Sequence, residues 1–192
     1  MPTRIFVVRH GETEWSKSGQ HTSRTDIALT AGGEEGARRL APVLSRVSFV
    51  RVFTSPRSRA RSTCALAGLS AGAQSDVDLS EWDYGSLEGL TTREIHAADP
   101  EWNLFRDGCA GGESPDQVSL RADRALGRLR LIEGNVAVFT HGHFGRVLAA
   151  RWIGLPVSAA ERFVLGTASL GILGFEHGDR PLAAIELWNA TP

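Results

Sequence analysis

Ile5-Phe6-Val7-Val8-Arg9-His10-Gly11-Glu12 is the stretch from which the rest of the chain can be read. Its first four residues are apolar and either β-branched or aromatic. The run is too short for a helix, so it reads as a buried strand. A polar His directly after such a strand is not core filling. In open α/β sheets ligands lie just beyond the carboxyl ends of the strands, which is where His10 falls. Gly11 lets backbone approach closely there, and Arg9 supplies a fixed positive charge.

A second stretch has the same form. Asn135-Val136-Ala137-Val138-Phe139-Thr140 reads as another strand and ends in His141-Gly142-His143. If the two strands are neighbours in a parallel sheet, their terminal imidazoles meet at one edge. Composition sets the outer limits. The 192 residues predict one domain over 1–192, long enough to bury roughly 70% of the surface its unfolded form exposes. With 21 basic and 22 acidic side chains the net charge is −1, which gives no general attraction to nucleic acid or to anionic membranes. Cys64 and Cys109 are too few for a disulfide framework and agree with a reducing compartment. No signal-peptide core follows Met1, and no apolar run approaches a membrane span, so a soluble cytoplasmic protein is expected.

In chain order, strand and helix signals alternate, which predicts an α/β fold. The segment from Trp15 to Ile27 is polar and without periodicity, and reads as a surface loop close to His10. Its Lys17, Gln20, His21, Thr22, Ser23 and Arg24 are candidates for a substrate rim. Thr30 caps a helix with Ala37, Leu40, Ala41 and Leu44 at helical spacing. Phe49 to Phe53 is a second strand. Ser55-Pro56 reads as N-cap and first turn of a helix carrying Arg57, Arg59 and Arg61. Arg57 and Arg61, four apart, suggest a solvated face. Arg59 is offset from them, and an inward arginine near a helix N-terminus would complete an anion pocket.

Ser75 to Leu79 is a short strand, followed by Ser80-Glu81-Trp82-Asp83-Tyr84-Gly85-Ser86-Leu87-Glu88-Gly89. A carboxyl against Trp82 or Tyr84 would have its charged form disfavoured, as a general acid requires, although the same composition also fits an acidic solvent loop whose aromatics cover the core. Spacing does not choose among Glu81, Asp83 and Glu88. Thr91-Thr92-Arg93-Glu94 is a capping box for a short helix through about Ala97, and Trp102, Leu104 and Phe105 read as core or pocket wall. Gly108 to Glu113 is flexible in composition, and Ser114-Pro115 starts a long helix with Val118, Ala122, Ala125, Leu126, Leu129 and Ile132 on one face. Arg121, Arg124, Arg128 and Arg130 are assigned to its wet side. Phe144 to Leu155 is helical, and Ala168 to Phe175 and Ala183 to Trp188 are two late strands.

Missing motifs narrow the chemistry. There is no G-x-S-x-G nucleophile elbow, no Walker loop and no cysteine-phosphatase loop around either cysteine. His141 and His143 lack a carboxylate cluster at ligand spacing, so no metal and no cofactor are expected.

Taken together, Arg9-His10-Gly11-Glu12-Thr13-Glu14-Trp15, Ser55-Pro56-Arg57-Ser58-Arg59-Ala60, Glu81-Trp82-Asp83-Tyr84-Gly85 with Glu88-Gly89, and Thr140-His141-Gly142-His143 resemble the motifs of the histidine phosphatase superfamily, also called phosphoglycerate mutase-like. They occur in the family's order across nearly the whole chain. Thr13 to Gln20 and Trp102 to Cys109 are similar to a branch containing bacterial acid phosphatases and sedoheptulose bisphosphatase. The resemblance implies a three-layer sandwich: a mainly parallel central sheet with helices on both faces. It also implies a phosphomonoesterase of acid phosphatase type that works without metal on a small phosphorylated metabolite, its partner.

The implied roles follow residue by residue. His10 would be the nucleophile, forming a phosphohistidine, with its other ring nitrogen held as N–H by a carbonyl. Arg9, Arg59 and His141 would bind the equatorial oxygens, and Glu81 would protonate the leaving alcohol and then deprotonate water. Substrate contacts would extend to Ser16, Gln20, His21, Thr22, Ser23, Ser55, Gly142, His143 and Arg146. Arg146, one helical turn beyond His143, either grips a second anionic group, as the matching position does in the bisphosphatase branch, or lies on the surface. Ser16 stands where mutases and many relatives carry Asn. Together with a chain too short for the segments that close over a mutase's substrate, this disfavours a cofactor-dependent phosphoglycerate mutase. A sugar-bisphosphate phosphatase using the same residues competes with the acid phosphatase reading, and so does a non-catalytic phosphate-binding module.

Overall fold

The computed structural model describes residues 3–176 and 182–192, so Met1 lies outside the described residues. Among the described residues six strands form one sheet: β1 (Arg4–Arg9), β2 (Phe49–Thr54), β3 (Gln74–Ser75), β4 (Asn135–Thr140), β5 (Leu170–Glu176) and β6 (Leu182–Ala190). Their order is β3-β2-β4-β1-β5-β6. The first four run parallel, whereas β5 is antiparallel to both β1 and β6. The helices are α1 (Glu14–Ser18), α2 (Ala31–Leu44), α3 (Ser58–Leu66), α4 (Thr92–Ala98), α5 (Leu104–Asp107), α6 (Pro115–Leu129) and α7 (Gly142–Trp152).

The continuous apolar runs of β1 and β4 are explained by cover on both faces. Ile5 and Val7 of β1, with Val136 and Val138 of β4, pack into a core shared with α6 and α7. Phe6, Val8, Ala137 and Phe139 point the other way, against Leu40 and Leu44 of α2 and Cys64 of α3. The result is the expected three-layer α/β sandwich. The caps expected from the sequence hold three of the helices: Thr30 Oγ1 accepts from Gly33 N, and Thr91 and Ser114 form capping boxes with Glu94 and Gln117.

Several local expectations need correction. Ser55-Pro56 does not start α3; the helix opens at Ser58 with Arg57 as N-cap and no side-chain cap. The Ser55 hydroxyl instead accepts from Arg57 N at 3.3 Å and from His141 Nε2 at 2.7 Å, a partner 86 residues away. Ser75 to Leu79 is strand only at Gln74–Ser75 and then turns into a 3-10 helix at Val77–Leu79, capped by Asp76. The segment from Trp15 to Ile27 contains most of α1, where Thr13 and Ser16 form a capping box, and its His21 and Ser23 are buried rather than at the surface. The last helix starts at Gly142 and ends at Trp152, two residues earlier than expected at its start and three at its end. Arg121 is not on the wet side of α6: its side chain is only 11% exposed.

Candidate active site

β1 and β4 are neighbours in parallel register, with Arg9 opposite Thr140. That register places His10 and His141, the next residue on each strand, side by side with ring centroids 5.1 Å apart. His10 N donates to Thr140 O at 3.0 Å, so the ladder continues one residue past the strands. Gly11 is required here by a close approach: a Cβ on it would sit 2.3 Å from the Gly33 carbonyl oxygen of α2. Its N–H donates to Thr63 Oγ1 of α3 at 2.9 Å, and its carbonyl lies 2.7 Å from His10 Nδ1. A carbonyl oxygen only accepts, so Nδ1 carries the proton and Nε2 is left with its lone pair. Burial first, then the charges of Arg9 and Arg59, hold the His10 imidazole well below its ordinary range and hence neutral.

His141 is fully buried, between Arg59 Nε, which donates to its Nδ1 at 3.3 Å, and Ser55 Oγ. Burial, then Arg59 and His10, push its titration well down as well. Arg59 is enclosed completely. Its Nη1 donates to Thr25 O at 3.0 Å and its Nη2 to Thr22 O and Ser23 O at 3.1 and 3.3 Å. Those carbonyls are fixed in turn by Glu88, whose carboxylate accepts from Ser23 N, Ser23 Oγ and Thr25 N. Arg9 Nη1 donates to Leu165 O, and its buried Nε has no hydrogen-bond partner among the described residues.

Glu81 is 7% exposed and Trp82 and Tyr84 beside it in the chain are buried, yet its carboxylate meets polar partners. Its Oε1 accepts from Phe144 N at 2.7 Å and Trp82 N at 3.0 Å, and its Oε2 from His143 N at 3.1 Å. Two of these amides are free N–H groups of the first turn of α7, a helix with no side-chain cap of its own. Tyr84 Oη is 2.6 Å from His143 Nδ1, and burial keeps the phenol protonated well above its usual range. His143 stays neutral through burial and then the charge of Arg146.

These groups border one cavity of about 190 Å³. Ten of the residues expected from the sequence line it: Arg9, His10, Ser16, Gln20, His21, Thr22, Glu81, Gly142, His143 and Arg146. Arg59, His141, Ser23 and Ser55 lie behind that lining. Ser16 Oγ is engaged in its capping box, accepting from Thr13 N at 2.8 Å. Arg146 borders the cavity rather than the surface, with Nε on Ala160 O at 3.0 Å, Nη2 on Glu161 O at 2.7 Å, and its guanidinium carbon 4.8 Å from the Phe105 ring centre. Gly19, Tyr84, Thr92 and Leu165 also line the cavity and carried no signal as site residues. A wider groove of about 660 Å³ adjoins it through His21, Thr92, His143 and Arg146, with Trp102 and Phe105 in its wall.

Among the described residues no three His, Cys, Asp or Glu side chains converge as a metal-binding group. Burial pushes Cys64 and Cys109 up to about 12, which removes both thiols as nucleophiles. The concentration of positive charge and neutral imidazole is therefore what this cavity offers a ligand, and it suits an oxyanion.

Comparison with known proteins gives the same picture. The acid phosphatase of Mycobacterium tuberculosis is 43% identical over 188 residues, covering 96% of this chain and 92% of that one. Sedoheptulose 1,7-bisphosphatase of Saccharomyces cerevisiae is 42% identical over 186 residues, covering 80% of this chain and 69% of that protein. Among solved structures, an M. tuberculosis open reading frame product superposes with a TM-score of 0.91 at 40% identity, covering 98% of each chain. Mycobacterial glucosyl-3-phosphoglycerate phosphatase in complex with VO3 superposes with a TM-score of 0.85 at 27% identity, covering 97% of this chain and 98% of that one. A family profile matches residues 5–191, and by these likenesses the chain belongs to the histidine phosphatase superfamily, branch 1.

Proposed function

We propose that the protein hydrolyses small phosphate monoesters through a phosphohistidine on His10, without a metal ion. The observation that carries the reading is the state of that imidazole: neutral, with Nδ1 bound to Gly11 O and Nε2 free, in a cavity that also holds Arg9 and Glu81. Nε2 attacks phosphorus as the ester oxygen leaves. Glu81, at the cavity wall, delivers the proton to that oxygen, and the alcohol departs. The carboxylate then accepts a proton from water attacking the phosphohistidine, which returns His10 to its starting state and releases phosphate.

Charge on the transferring group is met by arginine. Arg9 Nε, buried and unpartnered among the described residues, is a ready donor to an equatorial oxygen. Arg59 Nε and His141 Nδ1 bond each other, and a bound dianion becomes the partner of both. His141 then takes its other neutral tautomer, with the Ser55 hydroxyl donating to Nε2 and Nδ1–H donating to the phosphoryl group. Most of the alcohol lies beyond the 190 Å³ cavity, in the adjoining groove. A sugar bisphosphate is the second reading, favoured by Arg146 at the junction of the two spaces. We place the protein in the cytoplasm, consistent with two unpaired cysteines and no described helix long and apolar enough to cross a membrane.

The test is phosphate release with a chelator present, across aryl phosphate, phosphoglycerates, sugar monophosphates and sugar bisphosphates. Turnover is expected in the wild type and is abolished by His10→Ala with the fold retained. Activity persisting in that variant, or lost to the chelator, refutes the mechanism.

A further inference from the structure

Arg121 of α6 divides its N–H groups between the main chain of the segment that carries Glu81 and the carboxylate of Glu113. Nη1 donates to Asp78 O at 2.9 Å and to Ser80 O at 2.8 Å. Nη2 donates to the carbonyl of Glu81 itself at 3.2 Å and to Glu113 Oε2 at 2.6 Å, and Nε donates to Glu113 Oε1 at 2.7 Å. The guanidinium carbon also lies 4.1 Å from the ring centre of Phe144. Phe144 is the residue whose amide makes the shortest bond to the Glu81 carboxylate. One guanidinium thus touches both ends of the carboxyl's support, the main chain it grows from and the residue that holds its oxygen.

Glu113 extends the brace to the other side of Glu81. Its Oε2 accepts from Asp83 N at 3.0 Å, its carbonyl accepts from Trp82 Nε1 at 2.9 Å, and its N–H donates to Asp83 O at 2.9 Å. The backbones of these two segments meet without room for a side chain, since a Cβ on Gly112 would lie 2.1 Å from Asp83 O. A surface ion pair would do none of this. The Arg121 and Glu113 side chains are 11% and 19% exposed, and their partners are mostly carbonyls and amides. Only the planar fork of arginine reaches four acceptor groups at once; lysine, a single ammonium with three donors, does not.

We propose that Arg121, tied to Glu113, is the positioning residue for the Glu81 carboxyl, and that it sets the efficiency of proton delivery to the leaving alcohol. The proposal rests on the acid role read for Glu81 above. It separates from a merely structural role because a proton donor matters in proportion to how poor the leaving group is. A simple alkyl phosphate needs the proton to expel its alcohol, whereas a dinitrophenyl phosphate releases a stable phenolate without it. kcat/KM reports only the steps up to release of that group, so it is insensitive to the later hydrolysis of the phosphohistidine.

The experiment measures kcat/KM for both substrates in wild type, Arg121→Lys, Glu113→Gln and Glu81→Gln, each checked for cooperative unfolding. Arg121→Lys is expected to lose about 10- to 100-fold on the alkyl ester, part of the roughly 10²–10⁴-fold a placed proton donor supplies, and less than about threefold on the dinitrophenyl ester. Glu113→Gln, which keeps the main-chain bonds, gives a smaller loss with the same selectivity and stands in if Arg121→Lys does not fold. Combining Arg121→Lys with Glu81→Gln is expected to lose no more on the alkyl ester than Glu81→Gln alone. Equal losses on both esters, or none on the alkyl ester, overturn the positioning role while a selective Glu81→Gln leaves the acid role intact. A Glu81→Gln variant without leaving-group selectivity overturns both.

Discussion

Lowering the pH should destabilise this protein in a window set by its imidazoles rather than its carboxylates. His10 and His141 are 5% and 0% exposed, and burial places both titrations well below the ordinary value of 6.5. The half-buried His143 is shifted in the same direction. In the unfolded chain these rings titrate near 6.5, so as pH falls through that value the unfolded state binds protons that the folded state refuses. Stability is therefore complete above the unfolded value and declines below it, until the folded rings themselves protonate. From pH 7.5 to 5.5 each of these three rings contributes at most about 1.4 kcal/mol of lost stability, at most about 4 kcal/mol together, and buried His21, lowered first by burial, adds in the same direction. That is a large share of the roughly 5–15 kcal/mol that holds a domain together. Asp78 and Glu88 lie below their ordinary values. The Arg124 hydrogen bond lowers Asp78, and at Glu88 burial is outweighed by hydrogen bonds from Ser23 and Thr25. They lose their contribution only at more acid pH, outside the window. Urea unfolding at the two pH values, in buffer free of phosphate, measures the loss, and His10→Gln should show less of it than wild type, by up to about 1.4 kcal/mol. The same loss in both proteins, or a gain in stability at pH 5.5, refutes the assignment of a neutral, enclosed nucleophile.

Three substitutions test the frame around that nucleophile. Thr63→Val keeps shape but leaves the buried Gly11 N–H without its acceptor, so unfolding free energy should fall by about 1–3 kcal/mol, with turnover falling too because the Gly11 carbonyl orients His10. Unchanged stability by urea titration would contradict it. Arg146→Ala should lower kcat/KM for a sugar bisphosphate about tenfold more than for an aryl phosphate, the size of one charged hydrogen bond; equal losses would remove the second-anion reading. Gly112→Ala forces a methyl against the main chain of Asp83 and Gly85 and should cost about 1–3 kcal/mol, read as a lower urea midpoint.

The parts legible in the sequence are those whose causes are local or periodic. Ile5 to Val8 and Val136 to Phe139 read as strands because every residue is apolar, and the structure explains why: alternate residues enter different cores. Thr30, Thr91 and Ser114 read as caps because the amide each one satisfies is three residues away. The same reasoning failed at Ser55, whose hydroxyl is taken by His141 from another strand. It also failed at α1, where the reciprocal partner of Thr13 is Ser16 instead of the Glu or Gln that marks a capping box. Arg121 lies on a helix with a clear apolar face, and periodicity sends it to solvent. Its acceptors belong to residues 78 to 81 and 113, and nothing in its own helix announces them.

The site divides along the same line. His10 and His141 were visible because a polar residue ending a buried strand has few other reasons to be there, and parallel pairing then fixes their distance. The need for a carbonyl at the second nitrogen of His10 could be stated from chemistry, but its source could not. The source is Gly11, one residue on, which reaches Nδ1 because its N–H is drawn to Thr63 and its Cα is pressed against Gly33. The glycine that seemed to serve close approach to a ligand thus serves close approach to α2, and the orientation of the nucleophile is a consequence of that packing. Leu165 shows the limit from the other side. It enters the site as a carbonyl that takes Arg9 Nη1, and a backbone oxygen has no sequence signature at all. A residue that serves the site through its main chain is therefore placed by the packing of its neighbours, as Gly11 is by Thr63 and Gly33, and not by its own identity.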